Sequence, residues 1–390
     1  MRALVICHDF PYPPNHGGRY DMLYRLISLK KLGFRIDAIF TVANEYPSPN
    51  DIKQIQEIID TFEILKRNRS FIYLFHLIPF QAKSRDINFR IDKFSGNFYD
   101  FVLLEDFYVY PLFEKIKYKI NFNSILIRIH NDNFKYFIEL GRSTKKILKK
   151  IYFFSEAIKF KVYEKKILNT EKDIWLLPIS YDEFHSLKNI YPDVIWLPPA
   201  LDLSKIKDYK EKSNNNLLFI GNLFTENNIH AIYWFIRNIH PILTKKIRNY
   251  NLIIAGNTGR SNIIKNIIKK YNKYDNIILF ESPSELDPIY QKGTIFINPT
   301  WYGAGVKMKN LDAIINGLPV ITTPKGNEGT GLKNREHVLI STNKKEWLIN
   351  IESLLKDKKL REKLVINSQK FINNQYNHEA KLQEILEKVL

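Results

Sequence analysis

Two glycines and two lysines lie close together in the segment 298–329, which reads NPTWYGAGVKMKNLDAIINGLPVITTPKGNEG. Gly303 and Gly305 let the backbone approach a ligand closely, because neither carries a side chain. The helix predicted to begin near residue 306 directs unpaired N–H groups and a partial positive charge towards its start. Lys307 and Lys309 add two full charges there. These residue types, in this order, favour an anion such as a phosphate.

A carboxylate follows the cations on the same predicted helix. Asp312 comes three residues after Lys309, and its oxygens can accept hydrogen bonds from sugar hydroxyl groups. Gly317 then ends the helix, and the β-branched strand PVITT follows. The segment therefore predicts a site for a phosphorylated sugar compound. A plain strand–helix–strand crossover, with glycines that serve packing, is the alternative interpretation of the same residues.

Strands and helices alternate in both halves of the chain, and a polar, asparagine-rich segment separates the halves. We expect an N-terminal domain over 1–202, a linker over 203–216 and a C-terminal domain over 217–374. This alternation is typical of an α/β protein with doubly wound parallel sheets, in which ligands bind at the carboxyl ends of the strands. The predicted architecture is two Rossmann-like domains facing each other across a cleft.

Two local predictions concern the N-terminal half. Residues 51–66 are predicted to be helical, and a long basic helix is predicted over about 143–168. In that basic helix, six apolar residues recur at helical spacing, and the simplest interpretation packs them on the sheet. The stripe consists of Ile147, Leu148, Ile151, Phe154, Ile158 and Val162, and the lysines on other faces are Lys145, Lys146, Lys149, Lys150, Lys159, Lys165 and Lys166.

Composition narrows the classes of function. The chain has 390 residues and a formal net charge of +18, which favours an anionic partner. Its single cysteine, Cys7, excludes an internal disulfide framework. Prolines interrupt the N-terminus too early for a signal peptide, and no apolar run is long enough to span a membrane. We therefore expect a cytoplasmic protein that at most rests on the inner face of a membrane.

The segment FINPTWYGAGVKMKNLDAIINGLPVITTPKGNEG resembles the donor-binding segment of family 4 glycosyltransferases (glycosyl transferases group 1), in the branch with a GxGxKxK turn. LLFIGNLFTENNIHAIYWFIRNIHPIL is similar to the first strand and helix of that family's C-terminal domain, and PYPPNHGGRYDMLYRLISLKKLGF to its N-terminal opening. The resemblance implies the GT-B fold and a final helix, about 375–390, that packs back on the N-terminal domain. It also implies transfer of a sugar, with retained configuration, from a nucleotide-diphosphate sugar to a glycan or lipid-linked glycan. Bacterial surface polysaccharide synthesis is the usual setting for this branch.

The resemblance also assigns roles to residues of the C-terminal half. It implies no cofactor and no metal, and the sequence contains no Asp-x-Asp. Cations and backbone N–H groups must then stabilise the departing diphosphate, with Lys307 and Lys309 as the candidates. The ribose-binding glutamate of the family corresponds to Asp312, whereas the sugar-contacting glutamate corresponds to Ala304. Gly221 ends the first strand of this half, and no arginine or lysine follows it before Asn228.

Further candidates lie in the N-terminal half and near residue 328. His130 ends the strand SILIRIH, where family members carry a histidine that faces the donor sugar. Gly17 and Gly18 start a helix at the end of the first strand and are candidates for diphosphate or acceptor binding, with Arg19 beside them. Glu328 is a further donor-site candidate. The alternatives are a histidine with a local hydrogen bond, a solvated arginine and an ordinary loop at residue 328.

Other classes of protein fit less well. PPNHGGR lacks the G-x-G-x-x-G of a nicotinamide dehydrogenase, and RIDAIFTV does not end in an acidic residue. No nucleic-acid-binding module is recognisable, so nucleic acid is not an expected partner. A sugar-nucleotide epimerase with the GT-B fold and a catalytically inactive relative remain alternatives. The basic helix 143–168 has two interpretations, a solvated surface and a surface that docks on anionic lipid.

Overall fold

The computed structural model describes residues 1–43, 45–144, 146–271 and 275–390. Its internal contacts divide the chain into two compact units. Unit 1 consists of Met1–Leu201 and Tyr376–Leu390, and unit 2 consists of Asp202–Gln375. The segment 203–216, expected as a linker, lies entirely within unit 2, where Nζ of Lys212 donates to the carbonyl oxygen of Gly293 at 2.5 Å.

Each unit contains a six-stranded parallel sheet. In unit 1 the order is β3-β2-β1-β4-β5-β6, and in unit 2 it is β12-β11-β10-β7-β8-β9. In chain order the strands are β1 Arg2–Cys7, β2 Arg35–Val42, β3 Thr61–Lys66, β4 Phe98–Glu105, β5 Asn121–Ile129, β6 Ile174–Pro178, β7 Asn215–Ile220, β8 Tyr250–Gly256, β9 Ile277–Glu281, β10 Ile295–Asn298, β11 Val320–Thr322 and β12 Leu339–Ile340. The expected α/β class with two doubly wound parallel sheets is confirmed.

Helices cover both faces of each sheet. In chain order they are α1 Gly17–Lys31, α2 Pro49–Gln56, α3 Phe80–Lys83, α4 Tyr110–Ile116, α5 Asn133–Ser143, α6 Ile147–Thr170, α7 Tyr181–Lys188, α8 Glu226–Asn238, α9 His240–Lys246, α10 Ile263–Tyr271, α11 Asp287–Lys292, α12 Met308–Ile315, α13 Pro324–Asn327, α14 Lys344–Lys356, α15 Lys358–Gln375 and α16 His378–Val389. Short 3₁₀ helices occupy Phe71–Phe75, Phe107–Val109 and Leu203–Lys205.

The central strand of unit 1 shows how the sheet is buried on both faces. In β1, Val5 belongs to the apolar core beneath α1, whereas Leu4 and Ile6 belong to the core on the opposite face. The final helix, α16, joins the first of these cores through Leu382 and Ile385. Unit 1 is therefore completed by the last residues of the chain.

Two predictions for the N-terminal half are wrong in part. Only the first part of 51–66 is helical, in α2, because Thr61–Lys66 forms the edge strand β3 and pairs with β2. The long basic helix, predicted over about 143–168, is α6, which begins at Ile147 and ends at Thr170. Ser143 is the last residue of the preceding helix, α5. Lys145, placed in that helix by the sequence, lies outside the described residues.

The apolar stripe of α6 does not pack on the sheet. Five of its residues, Ile147, Leu148, Ile151, Ile158 and Val162, are between 61% and 83% exposed. The buried face of α6 consists instead of Glu156, Ala157, Phe160, Tyr163 and Ile167. Glu156 can be buried there because its carboxylate accepts from the backbone N–H of Phe80 at 2.8 Å and pairs with Lys159 at 2.9 Å. The described part of the chain contains no helix that is long and apolar enough to cross a bilayer.

Candidate functional site

The candidate donor residues of unit 2 lie where the strand order of its sheet reverses. β10 and β7 are neighbours in the sheet, and the chain leaves them in opposite lateral directions, to β11 and to β8. Loops that follow such a pair leave a crevice at the carboxyl ends of the strands. Gly221 follows β7, and the glycine turn 301–305 follows β10, so both belong to this crevice.

The glycine turn is held by the side chain of Lys307. Gly303 and Gly305 have φ angles of 110° and 84°, which an L side chain rarely adopts. Nζ of Lys307 donates to the carbonyl oxygens of Gly303 at 2.9 Å, Ala304 at 3.2 Å and Gly305 at 2.6 Å. Because three carbonyls surround this ammonium group, Lys307 fixes the shape of the turn and supplies positive charge behind it.

Lys309 lies beside the end of β7. Its Nζ donates to Oδ1 of Asn228 at 2.5 Å and sits 4.6 Å from the centre of the Phe219 ring. A Cβ atom added to Gly221 would lie 3.3 Å from this Nζ, so the glycine leaves room for the ammonium group. Burial, and to a lesser extent Lys307, lower the pKa of Lys309 to about 7. A lysine in this state gains a full charge when an anion binds next to it.

The glycine turn also meets the first turn of α8. The hydroxyl of Tyr302 donates to the carbonyl oxygen of Glu226 at 3.0 Å. A Cβ atom on Gly303 would lie 3.1 Å from Nδ2 of Asn227. The start of α8, the glycine turn and Lys309 therefore surround one small region that is rich in N–H donors and positive charge.

Of the two candidate carboxylates, Glu328 lies beside this region and Asp312 lies on α12. Asp312 projects from α12 and is accessible to solvent, and desolvation by the protein around it raises its pKa to about 6. Glu328 follows α13, pairs with Lys325 at 2.6 Å and lies 3.9 Å from Nζ of Lys307. Lys307 thus connects Glu328 to the glycine turn, whereas Asp312 has no ion pair with either site lysine among the described residues.

In unit 1, His130 belongs to a second crevice at a reversal of strand order, between β1 and β4. Nε2 of His130 lies 2.8 Å from Oε2 of Glu105, the last residue of β4. His8, which follows β1, places its Nδ1 3.0 Å from the carbonyl oxygen of Glu105, and its ring centre lies 5.0 Å from that of His130. Burial lowers the pKa of His8 to about 3, so this imidazole is neutral.

Glu105 is ionised because a buried arginine faces it. Nε and Nη2 of Arg25 donate to its two carboxylate oxygens at 2.6 and 3.0 Å. Burial alone would raise the pKa of Glu105. Arg25 and His130 outweigh this effect and hold the pKa of Glu105 well below its usual range. An ionised carboxylate only accepts hydrogen bonds, so the Nε2 atom of His130 carries the proton between them. Asp21 bridges Arg25 and the buried Arg128, which fixes the whole cluster.

Gly17 and Gly18 begin α1, at the carboxyl edge of the same sheet. The N-cap residue is His16, whose Nδ1 accepts from the backbone N–H of Arg19 at 3.4 Å. Arg19 donates to both carboxylate oxygens of Asp9, at 2.8 and 3.1 Å, so its charge is paired within the protein. The loop that contains Asp9 and His16 lines a cavity of about 990 Å³ within unit 1.

The structure brings Gly221, Gly303, Ala304, Gly305, Lys307 and Lys309 together and places Glu328 beside them. His130, Gly17 and Gly18 lie in unit 1, and the nearest partners of His130 are residues that the sequence analysis did not select. Glu105 and Arg25 carried a usable signal, since Glu105 directly follows the apolar run FVLL, which is typical of a buried strand, and a buried arginine needs a carboxylate partner. Among the described residues, no group of three or more His, Cys, Asp and Glu side chains is arranged to hold a metal ion.

Sequence comparison relates the chain to one protein family and to one bacterial protein. Residues 214–357 match the family described as "Glycosyl transferases group 1". A protein of Klebsiella pneumoniae, described as an "Uncharacterized 44.6 kDa protein in cps region", is 35% identical over 385 residues. That alignment covers 96% of this chain and 96% of the Klebsiella protein.

Solved structures of glycosyltransferases share the fold over the full length of the chain. A mutant of S. aureus TarM, crystallised with Fondaparinux, alpha-GlcNAc-glycerol and UDP, has a TM-score of 0.63 at 10% identity. The match covers 100% of this chain and 99% of TarM. WaaG, a glycosyltransferase involved in lipopolysaccharide biosynthesis, has a TM-score of 0.61 at 12% identity, with 100% and 99% of the two chains covered. These similarities confirm the expected GT-B fold.

Proposed function

The chain belongs to the glycosyl transferases group 1 family, and from this membership we propose that it transfers a sugar from a nucleotide-diphosphate sugar to a glycan or lipid-linked glycan. The observation that carries the proposal is the cationic region formed by the glycine turn, the start of α8 and Lys309. The lipopolysaccharide role of WaaG and the cps location of the Klebsiella relative support a setting in bacterial surface polysaccharide synthesis.

In the proposed reaction, unit 2 binds the diphosphate and stabilises it as it leaves the sugar. Backbone N–H groups of the glycine turn donate to the diphosphate, while Lys307 donates to the carbonyl oxygens on the other side of the turn. Lys309 is the direct cation, and its charge increases as the negative charge of the leaving group develops. Asp312 accepts hydrogen bonds from the ribose hydroxyls. This arrangement needs no divalent ion, so excess EDTA should leave the turnover rate unchanged.

His130 is the candidate sugar-facing residue of unit 1. Glu105 fixes the proton of His130 on Nε2, which leaves Nδ1 as the second polar atom of the ring. Ala304 carries no carboxylate, so sugar recognition in unit 2 depends on backbone groups of the turn. We propose that the configuration at the anomeric carbon is retained, as the resemblance to family 4 implies.

Thermal-shift measurements test the proposal. We expect UDP or GDP to raise the melting temperature of the wild-type protein, and Lys309→Met to reduce that shift strongly. Proton NMR of the product should then show the anomeric configuration of the donor. The absence of a shift with every nucleoside diphosphate contradicts the donor site. Binding with interconversion of the free nucleotide sugar, and no transfer, favours the epimerase instead.

We also propose that the enzyme associates with a membrane surface through the exposed face of α6. The exposed stripe lies on the same helix as Lys149, Lys150, Lys165 and Lys166, which are all exposed. Apolar residues flanked by lysines are the composition of a helix that lies in the interface of an anionic bilayer. Each lysine near such a surface contributes about 1 kcal/mol at low salt.

Sedimentation with vesicles tests this surface. We expect the protein to sediment with phosphatidylglycerol vesicles at low salt, and Leu148→Ser with Ile151→Ser to reduce the bound fraction. Ile349→Ser, which changes an exposed isoleucine of unit 2, is the matched control and should bind like the wild type. Equal sedimentation of all three proteins would rule out the α6 surface.

A further inference from the structure

The cavity of unit 1 contains two arginines that the proposed donor site does not use. It measures about 990 Å³ and is lined by Arg67, Gln81 and Arg85, together with the loop after β1. Resting on the proposed function, we propose that this cavity binds a phosphoryl group of the acceptor, with Arg67 and Arg85 as its cationic partners. The acceptor is then an apolar chain that carries its glycan through a phosphate or diphosphate.

Arg85 is buried and surrounded by neutral acceptors. Its Nε donates to Oγ1 of Thr41 at 3.0 Å, and Nη2 donates to the carbonyl oxygen of His8 at 2.7 Å. Nη1 donates to the carbonyl oxygen of Gln81 at 2.6 Å. These bonds fix the guanidinium group without neutralising it, and burial lowers the pKa of Arg85 to about 9.

Arg67 follows β3 and is held in the same way. Its Nη2 donates to Oε1 of Gln81 at 2.8 Å and to Oγ of Ser84 at 2.7 Å. Burial first, and then the neighbouring Arg69, lower the pKa of Arg67 to about 10. Gln81 therefore contacts both guanidinium groups and places the two positive charges near each other at the cavity wall.

Neither of these arginines forms an ion pair with a carboxylate among the residues that the structure describes. Other well-buried arginines of unit 1 do, since Arg25 pairs with Asp21 and Glu105, and Arg128 pairs with Asp21. Asp9 also lines the cavity, but its two oxygens are occupied by Arg19. A buried or partly buried cation without a counter-charge is energetically unfavourable unless an anion binds beside it. The planar guanidinium group of arginine can donate two hydrogen bonds to the oxygens of a phosphate.

The segment that joins the two arginines connects the cavity to an apolar surface. Between Arg67 and Arg85 lies the 3₁₀ helix Phe71–Phe75, and its exposed apolar side chains are Phe71, Ile72 and Phe75, followed by Leu77. Nζ of Lys159 donates to the carbonyl oxygen of Leu74 at 2.7 Å, which fixes this segment on α6. The segment between the two arginines thus links the phosphate site to the proposed membrane surface of α6. A lipid-linked phosphate requires such a link, because its apolar chain stays in the membrane.

Binding measurements with a soluble isoprenoid diphosphate test the proposal. Farnesyl diphosphate is titrated into the protein while a nucleoside diphosphate saturates unit 2, with farnesol and pyrophosphate as comparison ligands. We expect farnesyl diphosphate to bind the wild type, and Arg67→Gln with Arg85→Gln to weaken its binding at least tenfold. Arg67→Gln alone should weaken it in the same direction, and since Arg67 is the less buried arginine this variant keeps the test valid if the double variant unfolds.

Arg35→Gln is the matched control, because Arg35 is exposed at the opposite end of β2, and it should bind like the wild type. Equal affinity of the wild type and the arginine variants overturns the proposal, and so does farnesol binding as tightly as farnesyl diphosphate. If pyrophosphate binds as tightly as farnesyl diphosphate, the apolar chain contributes nothing to binding, and this result overturns the assignment of a lipid-linked acceptor. The nucleotide-induced thermal shift should persist in every arginine variant. If the wild type itself shows no nucleotide-induced shift, that result contradicts the proposed donor site and not the proposed phosphoryl site of unit 1.

Discussion

Lys309 makes nucleotide binding dependent on protons. In the free protein its pKa is about 7, so at pH 8 only about a tenth of the molecules carry the charge. Contact with a diphosphate favours the charged form and returns the pKa towards about 10. Binding at pH 8 should therefore take up about 0.9 proton per nucleotide. The affinity should be about fivefold lower at pH 8 than at pH 7, since the unbound protein must first be protonated.

Calorimetry in two buffers of different ionisation enthalpy measures this uptake directly. At pH 8 the phosphates of a nucleoside diphosphate and the carboxylate of Asp312 are already ionised, so they add little to the signal. Lys309→Met cannot take up the proton and should reduce the uptake to near zero. Lys269→Met, which changes an exposed lysine of α10, should leave it unchanged. An uptake near zero in the wild type at pH 8 would refute the assignment of Lys309 as the direct cation.

Three further outcomes are expected. Asp312→Ala should weaken the binding of a nucleoside diphosphate at least tenfold, measured by calorimetry, but leave the affinity for pyrophosphate unchanged. Equal losses of affinity for both ligands would contradict a ribose contact. Glu105→Gln should lower the free energy of unfolding in urea by about 3 kcal/mol, because it breaks the buried pair with Arg25, and a change below about 1 kcal/mol would show that Arg25 does not need this partner. The wild type should gain stability relative to Glu164→Gln as the pH falls from about 8 to 5, because burial raises the pKa of Glu164 to about 8, so that this carboxyl group binds more protons in the folded state. Below about pH 4 the wild type should lose stability relative to Glu105→Gln, because Glu105 has a lowered pKa and its contribution is lost on protonation; a pH-independent difference between the wild type and each variant in urea titrations would contradict these arguments.

The residues of the candidate donor region could be selected from the sequence because its signals are local. Gly303, Gly305, Lys307 and Lys309 lie within seven consecutive positions, and the strand and helix on either side follow from short hydrophobic patterns. Their individual roles were not predictable, since the contacts of Lys307 with three carbonyls depend on the folded turn. The sequence suggested two equivalent cations, whereas the structure separates a lysine that shapes the turn from one beside the crevice.

The unit 1 site was harder to predict because its partners are distant in the chain. Glu105 and Arg25 are 80 residues apart, and only the neighbouring positions of β1 and β4 in the sheet bring them together. The stripe of α6 was misassigned for a different reason. Hydrophobic periodicity identifies an apolar face but not what covers it, and here a face that contains Glu156 is the buried one.

The position of α16 has a consequence for how the protein is made. Unit 1 needs Leu382 and Ile385 to complete one of its cores, yet these residues are synthesised only after the whole of unit 2. Unit 2 is continuous in sequence and has all of its strands before the final helix is synthesised. We therefore expect the sheet of the second half to form before the first half is complete, because the first half waits for α16.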